Sequence, residues 1–191
     1  MTLYADDMLL YRCIETPQDY QKLQNDINSI VEWISVNHLH FNVSKCKSML
    51  ISRKRNPFQR PGLSLCGQVL EQVECFKYLA VLLTSDLTWS KQTECICAKA
   101  KKLLGMIYRR FSEYSNPDTL LHIYESMVRS HLEYASQVWD PHLQKDIRLL
   151  EGVHKFALRM CRKDYDMNYE DLLQSFQLPE LSTRRLISDC H

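Results

Sequence analysis

Two periodicities divide the chain near Trp89. Before it, one long helical segment apart, apolar residues come in short extended runs broken by turn residues; after it they recur every third or fourth position. Met1-Thr2-Leu3-Tyr4 and Met8-Leu9-Leu10-Tyr11 flank Ala5-Asp6-Asp7, which predicts a β-hairpin with both acids at its tip. Thr16-Pro17, with Asp19 in the first turn, predicts a helix start. Tyr20, Leu23, Ile27, Ile30, Val31 and Ile34 supply its apolar stripe as far as His38, and the helix is expected to pack on the sheet that holds the hairpin. A turn and strand over 42–51 follow. Next come a basic loop from Arg53 to Gly62, a hairpin turning at Gly67-Gln68, and a strand from Phe76 to Leu83.

Beyond Trp89 the 3.6-residue period takes over. Ile96, Ala100, Leu103, Leu104, Ile107 and Phe111 mark a second helix. Asn116-Pro117-Asp118 caps a third, with Leu120, Leu121, Tyr124, Met127, Val128 and Leu132 inward. Asp140-Pro141 repeats that signal and opens a helix buried through Leu143, Ile147, Leu150, Val153, Ala157 and Met160. Asn168 and Pro179 begin two shorter helices. The expected class is α+β, with a strand-rich part over 1–89 and an all-helical part over 90–191.

The composition is that of an ordinary globular chain, 45% hydrophobic and 25% charged over 191 residues. A net charge of +1 makes no case for a nucleic-acid partner, but the distribution of charge does. No acid occurs between Trp33 and Leu70, where Lys45, Lys47, Arg53, Lys54, Arg55 and Arg60 lie. Lys99, Lys101, Lys102, Arg109 and Arg110 form a second acid-free stretch, either a phosphate-binding patch or a solvated helix face. Eight cysteines without a leader segment point to reduced thiols and an intracellular location. No Cys-x-x-Cys pair accompanies Cys95-x-Cys97 or Cys190-His191, so no structural zinc is expected, and no apolar run is long enough to span a membrane.

Adjacent carboxylates without a basic residue nearby are either a solvated turn or an invitation to a hard divalent cation. Tyr4-Ala5-Asp6-Asp7 between apolar runs resembles the catalytic hairpin of reverse transcriptases. Asn42-x-x-Lys45, the Phe76-Lys77-Tyr78-Leu79 run and Trp139-Asp140-Pro141 follow in the order found in the non-long-terminal-repeat retrotransposon (LINE-type) group, so the resemblance extends over nearly the whole chain. It implies part of a reverse transcriptase palm (hairpin, helix and antiparallel strands) followed by a thumb-like helical region. Asp6 would hold Mg²⁺ or Mn²⁺, Asp7 would assist it, and Lys45 would act on the departing pyrophosphate. Tyr4 would lie under the primer terminus or incoming nucleotide. Phe76, Lys77, Tyr78 and Leu79 would belong to a hairpin gripping the primer, with Ala80 standing where the group has glycine. Arg53, Lys54, Arg55, Lys99, Lys101 and Lys102 would follow the nucleic-acid backbone. The implied partners are an RNA template, a DNA primer and deoxynucleoside triphosphates. The group's third metal-binding aspartate lies upstream of the hairpin, so the chain is expected to be a C-terminal palm and thumb-like piece that does not polymerise alone. A non-enzymatic nucleic-acid-binding module and a decayed element are the alternatives. His131, Glu133 and Asp140 are read as structural, and His154 stands where the group has glutamine.

Overall fold

The computed structural model describes residues 1–52, 61–113 and 115–188, without the side chains of the last two. Two compact units form: Met1–Phe76 with Thr84–Leu87, and Lys77–Leu83 with Thr88–His191.

In the first unit, β1 (Thr2–Tyr4) and β2 (Asp7–Leu9) make an antiparallel hairpin. Helix α1 runs from Pro17 to Val36. Its start is held by Asp19, whose carboxylate accepts from the Thr16 N–H at 2.9 Å and the Thr16 hydroxyl at 2.8 Å. These bonds, with the Lys22 ammonium at 2.9 Å, draw the Asp19 carboxyl far below its usual pKa, Lys22 contributing most. A 3-10 turn over Val43–Lys45 leads to β3 (Lys47–Ser48), which pairs in parallel with β6 (Glu71–Gln72). Strands β4 (Ser64–Leu65) and β5 (Gln68–Val69) form a second hairpin.

Helix α1 packs on this second hairpin. Gln24 receives the Ser64 N–H at 2.8 Å and donates back to the Ser64 carbonyl at 2.9 Å. Ile27, Leu65 and Leu70 form the small core, with Leu10 reaching it from the end of β2. The β4–β5 turn uses Cys66 and Gly67, one residue earlier than expected. Both take positive φ, +50° and +78°, the backbone that a two-residue hairpin loop requires. Not every ladder is antiparallel, since Lys47 opposes Glu71 in a parallel pair, and the described strands form separate two-stranded ladders.

The second unit is helical apart from the residues of β7 (Cys75–Tyr78) and β8 (Val81–Thr84) that belong to it. The single strand expected from Phe76 to Leu83 is a hairpin, turning at Leu79 and Ala80 with φ of +45° and +65°. Helix α2 (Ser90–Phe111) presents Cys97, Ala100, Leu104 and Ile107 to the core. Helix α3 (Pro117–Tyr124) is capped by Asn116, whose side-chain oxygen accepts from the Thr119 N–H at 2.8 Å. A π-helical turn over Glu125–Arg129 joins it to α4 (Ser130–Glu133). That wider turn shifts the stripe, so Val128 and Leu132 stay buried while Met127 is exposed.

After α5 (Ser136–Trp139), helix α6 runs from Gln144 to Arg162. It opens after Leu143, which is exposed, so Asp140-Pro141 does not start it. Asp140 instead accepts from Arg185 Nε at 2.8 Å. Helices α7 (Tyr169–Phe176) and α8 (Leu181–Ser188) begin after Asn168 and Pro179, as the turn residues predict. Buried Arg185 ties α8 down. Its Nη1 donates to the Leu132 carbonyl at 2.8 Å, and its guanidinium stacks 4.0 Å from the Trp139 ring centroid. Glu151 accepts from the Tyr169 hydroxyl at 2.5 Å and from the Ser182 N–H at 2.7 Å, filling the start of α8.

Candidate nucleic-acid interface

A two-residue turn sets the acidic tip. Tyr4 opposes Asp7 directly, leaving Ala5 and Asp6 as the loop, and Ala5 takes a φ of +51°. Asp6 therefore sits at the crown and Asp7 opens the returning strand, so the two carboxylates are neighbours at one end of a ladder. Both are exposed, as is Tyr4, and no ion pair from the described residues reaches either acid. Carboxylate oxygens are hard donors of the kind Mg²⁺ and Mn²⁺ accept. Among the described residues no group of three or more His, Cys, Asp or Glu converges, so the pair fits one edge of a metal's shell and does not complete it.

Lys45 closes the 3-10 turn, exposed and without a carboxylate partner among the described residues. Among the described residues no ion pair joins it to Asp6 or Asp7. Lys47, two residues on, is engaged by Glu71 at 2.5 Å.

The Phe76-Lys77-Tyr78-Leu79 run occupies the β7 arm and turn of a hairpin. In the second unit this turn is anchored twice: the Tyr134 hydroxyl donates to the Leu79 carbonyl at 3.2 Å, and Gln92 Oε1 accepts the Leu82 N–H at 2.8 Å. Lys77 is exposed while Tyr78 and Leu79 are half-buried, so one cation stands free on a fixed strand. Ala80 holds a left-handed backbone that glycine adopts more cheaply, which gives a physical reason for glycine at this place.

Lys99, Lys101 and Lys102 are exposed along α2. Lys99 Nζ lies 3.5 Å from His131 Nδ1. Burial, and after it that ammonium, lower the His131 pKa. Arg53, Lys54 and Arg55 lie outside the described residues. Glu133 accepts from Arg184 Nε at 2.7 Å, and with Asp140 held by Arg185 these two acids brace helices. His154 is fully buried with its Nδ1 2.5 Å from the Tyr124 hydroxyl, and burial chiefly lowers its pKa to about 4. Sequence reading missed the roles of Tyr124, Glu151 and Arg185, whose partners lie 30, 31 and 45 residues away.

The RNA-directed DNA polymerase from mobile element jockey of Drosophila melanogaster is 24% identical over 190 residues, covering 95% of this chain. The chain is similar to a mobile-element RNA-directed DNA polymerase. The jockey polymerase of Drosophila funebris gives the same identity over 192 residues. The chain spans 20% of the length of each of these relatives. No protein-family model matches, and no solved structure does. Among the described residues no helix is long and apolar enough to cross a membrane.

Proposed function

We propose that this chain is a piece of the RNA-directed DNA polymerase of a non-long-terminal-repeat retrotransposon, comprising part of the palm and a thumb-like helical region. One observation carries the reading: neighbouring carboxylates crown an antiparallel hairpin in a chain that matches a jockey polymerase over 95% of its length. In that reading Asp6 and Asp7 supply part of a divalent-metal site, and bound Mg²⁺ would neutralise charge developing on the transferred phosphate. Tyr4, directly opposite Asp7, offers an exposed ring beside the carboxylates for a sugar or base. Lys45 supplies a mobile cation for pyrophosphate, and Lys77 with Lys99, Lys101 and Lys102 meets the backbone of an RNA–DNA hybrid. The pair of carboxylates does not make a two-metal site alone, so the piece works only when other parts of a polymerase complete it.

The test replaces the matching fifth of a jockey polymerase with this chain and measures primer extension on RNA with Mg²⁺ or Mn²⁺. Extension by the chimera that is lost in Asp6→Asn supports the reading, and the isolated chain is expected to extend nothing. Extension by the chimera that survives Asp6→Asn would remove the catalytic assignment.

A non-enzymatic hybrid-binding module is the second reading, favoured by the incomplete carboxylate set and, in the other unit, by an exposed basic helix. Binding of a labelled RNA–DNA hybrid across a salt series tests it. Replacing Lys99, Lys101 and Lys102 by Glu should lower affinity and flatten the salt dependence. Unchanged affinity would refute hybrid binding through α2.

A further inference from the structure

Helices α2 and α6 start together. The Ser90 hydroxyl at the first residue of α2 donates to Asp146, in the first turn of α6, at 2.7 Å. From there, at ~1.5 Å per residue, α2 rises about 27 Å to Tyr108 and α6 about 24 Å to Arg162, so Tyr108 and the end of α6 lie at a similar level. Tyr108 stands in the last turn of α2, and Tyr165 lies just beyond Arg162, the final residue of α6. Both rings are about half exposed, 51% and 49%. Tyr108 is near enough to add to the upward pKa shift that burial gives Tyr165.

The loop that carries Tyr165 is rigidly built. Lys163 ends α6 in the left-handed region with a φ of +59°. The Asp164 carboxylate then accepts the Asp166 N–H at 3.0 Å and the Met167 N–H at 3.1 Å. Arg159 Nη2 donates to the Met167 carbonyl at 3.0 Å. A surface loop closed by three such bonds holds its tyrosine in place, which lowers the entropy cost of using the ring for binding.

Basic groups frame the rings. Arg109 and Lys163 are exposed beside them, and Lys101 lies on the same face of α2 as Tyr108, two turns earlier. Gly105 falls between those two on that face. A Cβ there would meet nothing closer than Arg109 Nη1 at 3.5 Å, so packing does not demand glycine, and the Arg109 guanidinium lies over this part of the face. Asp166 is the exposed acid of the loop, because Asp164 is engaged within it.

We infer that Tyr108 and Tyr165 form a stacking platform for unpaired bases, a binding site for single-stranded nucleic acid whose phosphates are met by Arg109, Lys163 and Lys101. Exposed aromatic faces beside arginine and lysine favour single strands, since paired bases are already stacked on one another. The site rests on the polymerase reading and deepens it, giving the thumb-like region a hold on template beyond the hybrid.

The test uses the full chain with a fluorescein-labelled oligouridylate and, separately, an RNA–DNA hybrid of the same length. Tyr108→Leu and Tyr165→Leu should each weaken single-strand binding about tenfold, with the hybrid unaffected. Tyr→Phe at both positions should restore it, because the ring and not the hydroxyl does the stacking. The salt dependence should stay unchanged in the Leu variants and flatten in Arg109→Gln with Lys163→Gln. Single-strand affinity that ignores both tyrosines while falling on reversal of Lys99, Lys101 and Lys102 overturns the platform alone. Equal losses on single strand and hybrid also overturn it. No binding to either nucleic acid overturns the platform and hybrid binding through α2 together.

Discussion

The two units differ in how they keep apolar surface from water. In the helical unit Leu104, Ile107, Leu120, Leu132, Trp139 and Leu158 are fully buried in one continuous cluster. Among the described residues of the strand-rich unit no buried apolar side chain falls below 6% exposure, and Trp33, Val36, Leu39 and Tyr11 stand out in solvent. Isolated two-stranded ladders are marginal in water, and this unit is built from several of them around one helix. Helices close their own backbone hydrogen bonds and need only one another's sides, whereas short strands need further strands. The residues assigned to chemistry, Asp6 and Asp7, sit on the less supported unit, and the basic helix sits on the better one.

Cutting into each core breaks or upholds that contrast most directly. Leu104→Ala leaves a cavity among fully buried neighbours and should cost about 3–5 kcal/mol in denaturant unfolding. Ile27→Ala, in a core that water already reaches, should cost about 1–2 kcal/mol. Equal losses would mean that both cores are equally well packed, and the contrast would fail.

Next in size is a pH effect confined to the helical unit. Burial, helped by Arg129 and Arg184, lowers the His154 pKa from 6.5 to about 4, so the folded chain holds this ring neutral. The group's folded pKa lies below its unfolded one, so its contribution is fully present above pH 6.5 and is lost as pH falls toward 4. The total loss should be about 3 kcal/mol at the low end of that window. In His154→Gln, which places the resembled group's residue here, that pH-dependent component of the unfolding free energy should vanish. A slope retained in the variant would assign it to other groups.

What could be read from the chain follows the same division. Capping residues, prolines and 3.6-residue stripes located α1, α2, α3, α7 and α8, because each signal acts within a turn or two of its cause. The acidic hairpin was legible for that reason too. The π-turn that pushes Met127 outward has no local signal, since it is settled by what packs around Val128 and Leu132. Asp140-Pro141 misled because a capping pair looks the same whether it starts a helix or meets an arginine from α8. The apolar pattern alone ran straight through the turn at Leu79 and Ala80, where neither residue is a turn former and both are left-handed, whereas the resemblance implied a hairpin there.

That last position gives the smallest and cleanest test. Ala80 takes a φ of +65°, where a Cβ crowds the following carbonyl and glycine does not. Ala80→Gly should therefore stabilise the hairpin turn, offset in part by the greater freedom glycine has when unfolded, for a net gain of about 0.5–1 kcal/mol. Denaturation should register this as a shift in midpoint without a change in slope, because no surface is newly buried. If the turn instead serves only to connect two arms held by Tyr134 and Gln92, relieving its strain leaves stability where it was. A gain here would mean that the turn's own backbone sets the hairpin's shape, and that alanine at this position strains the strand on which the exposed Lys77 is mounted.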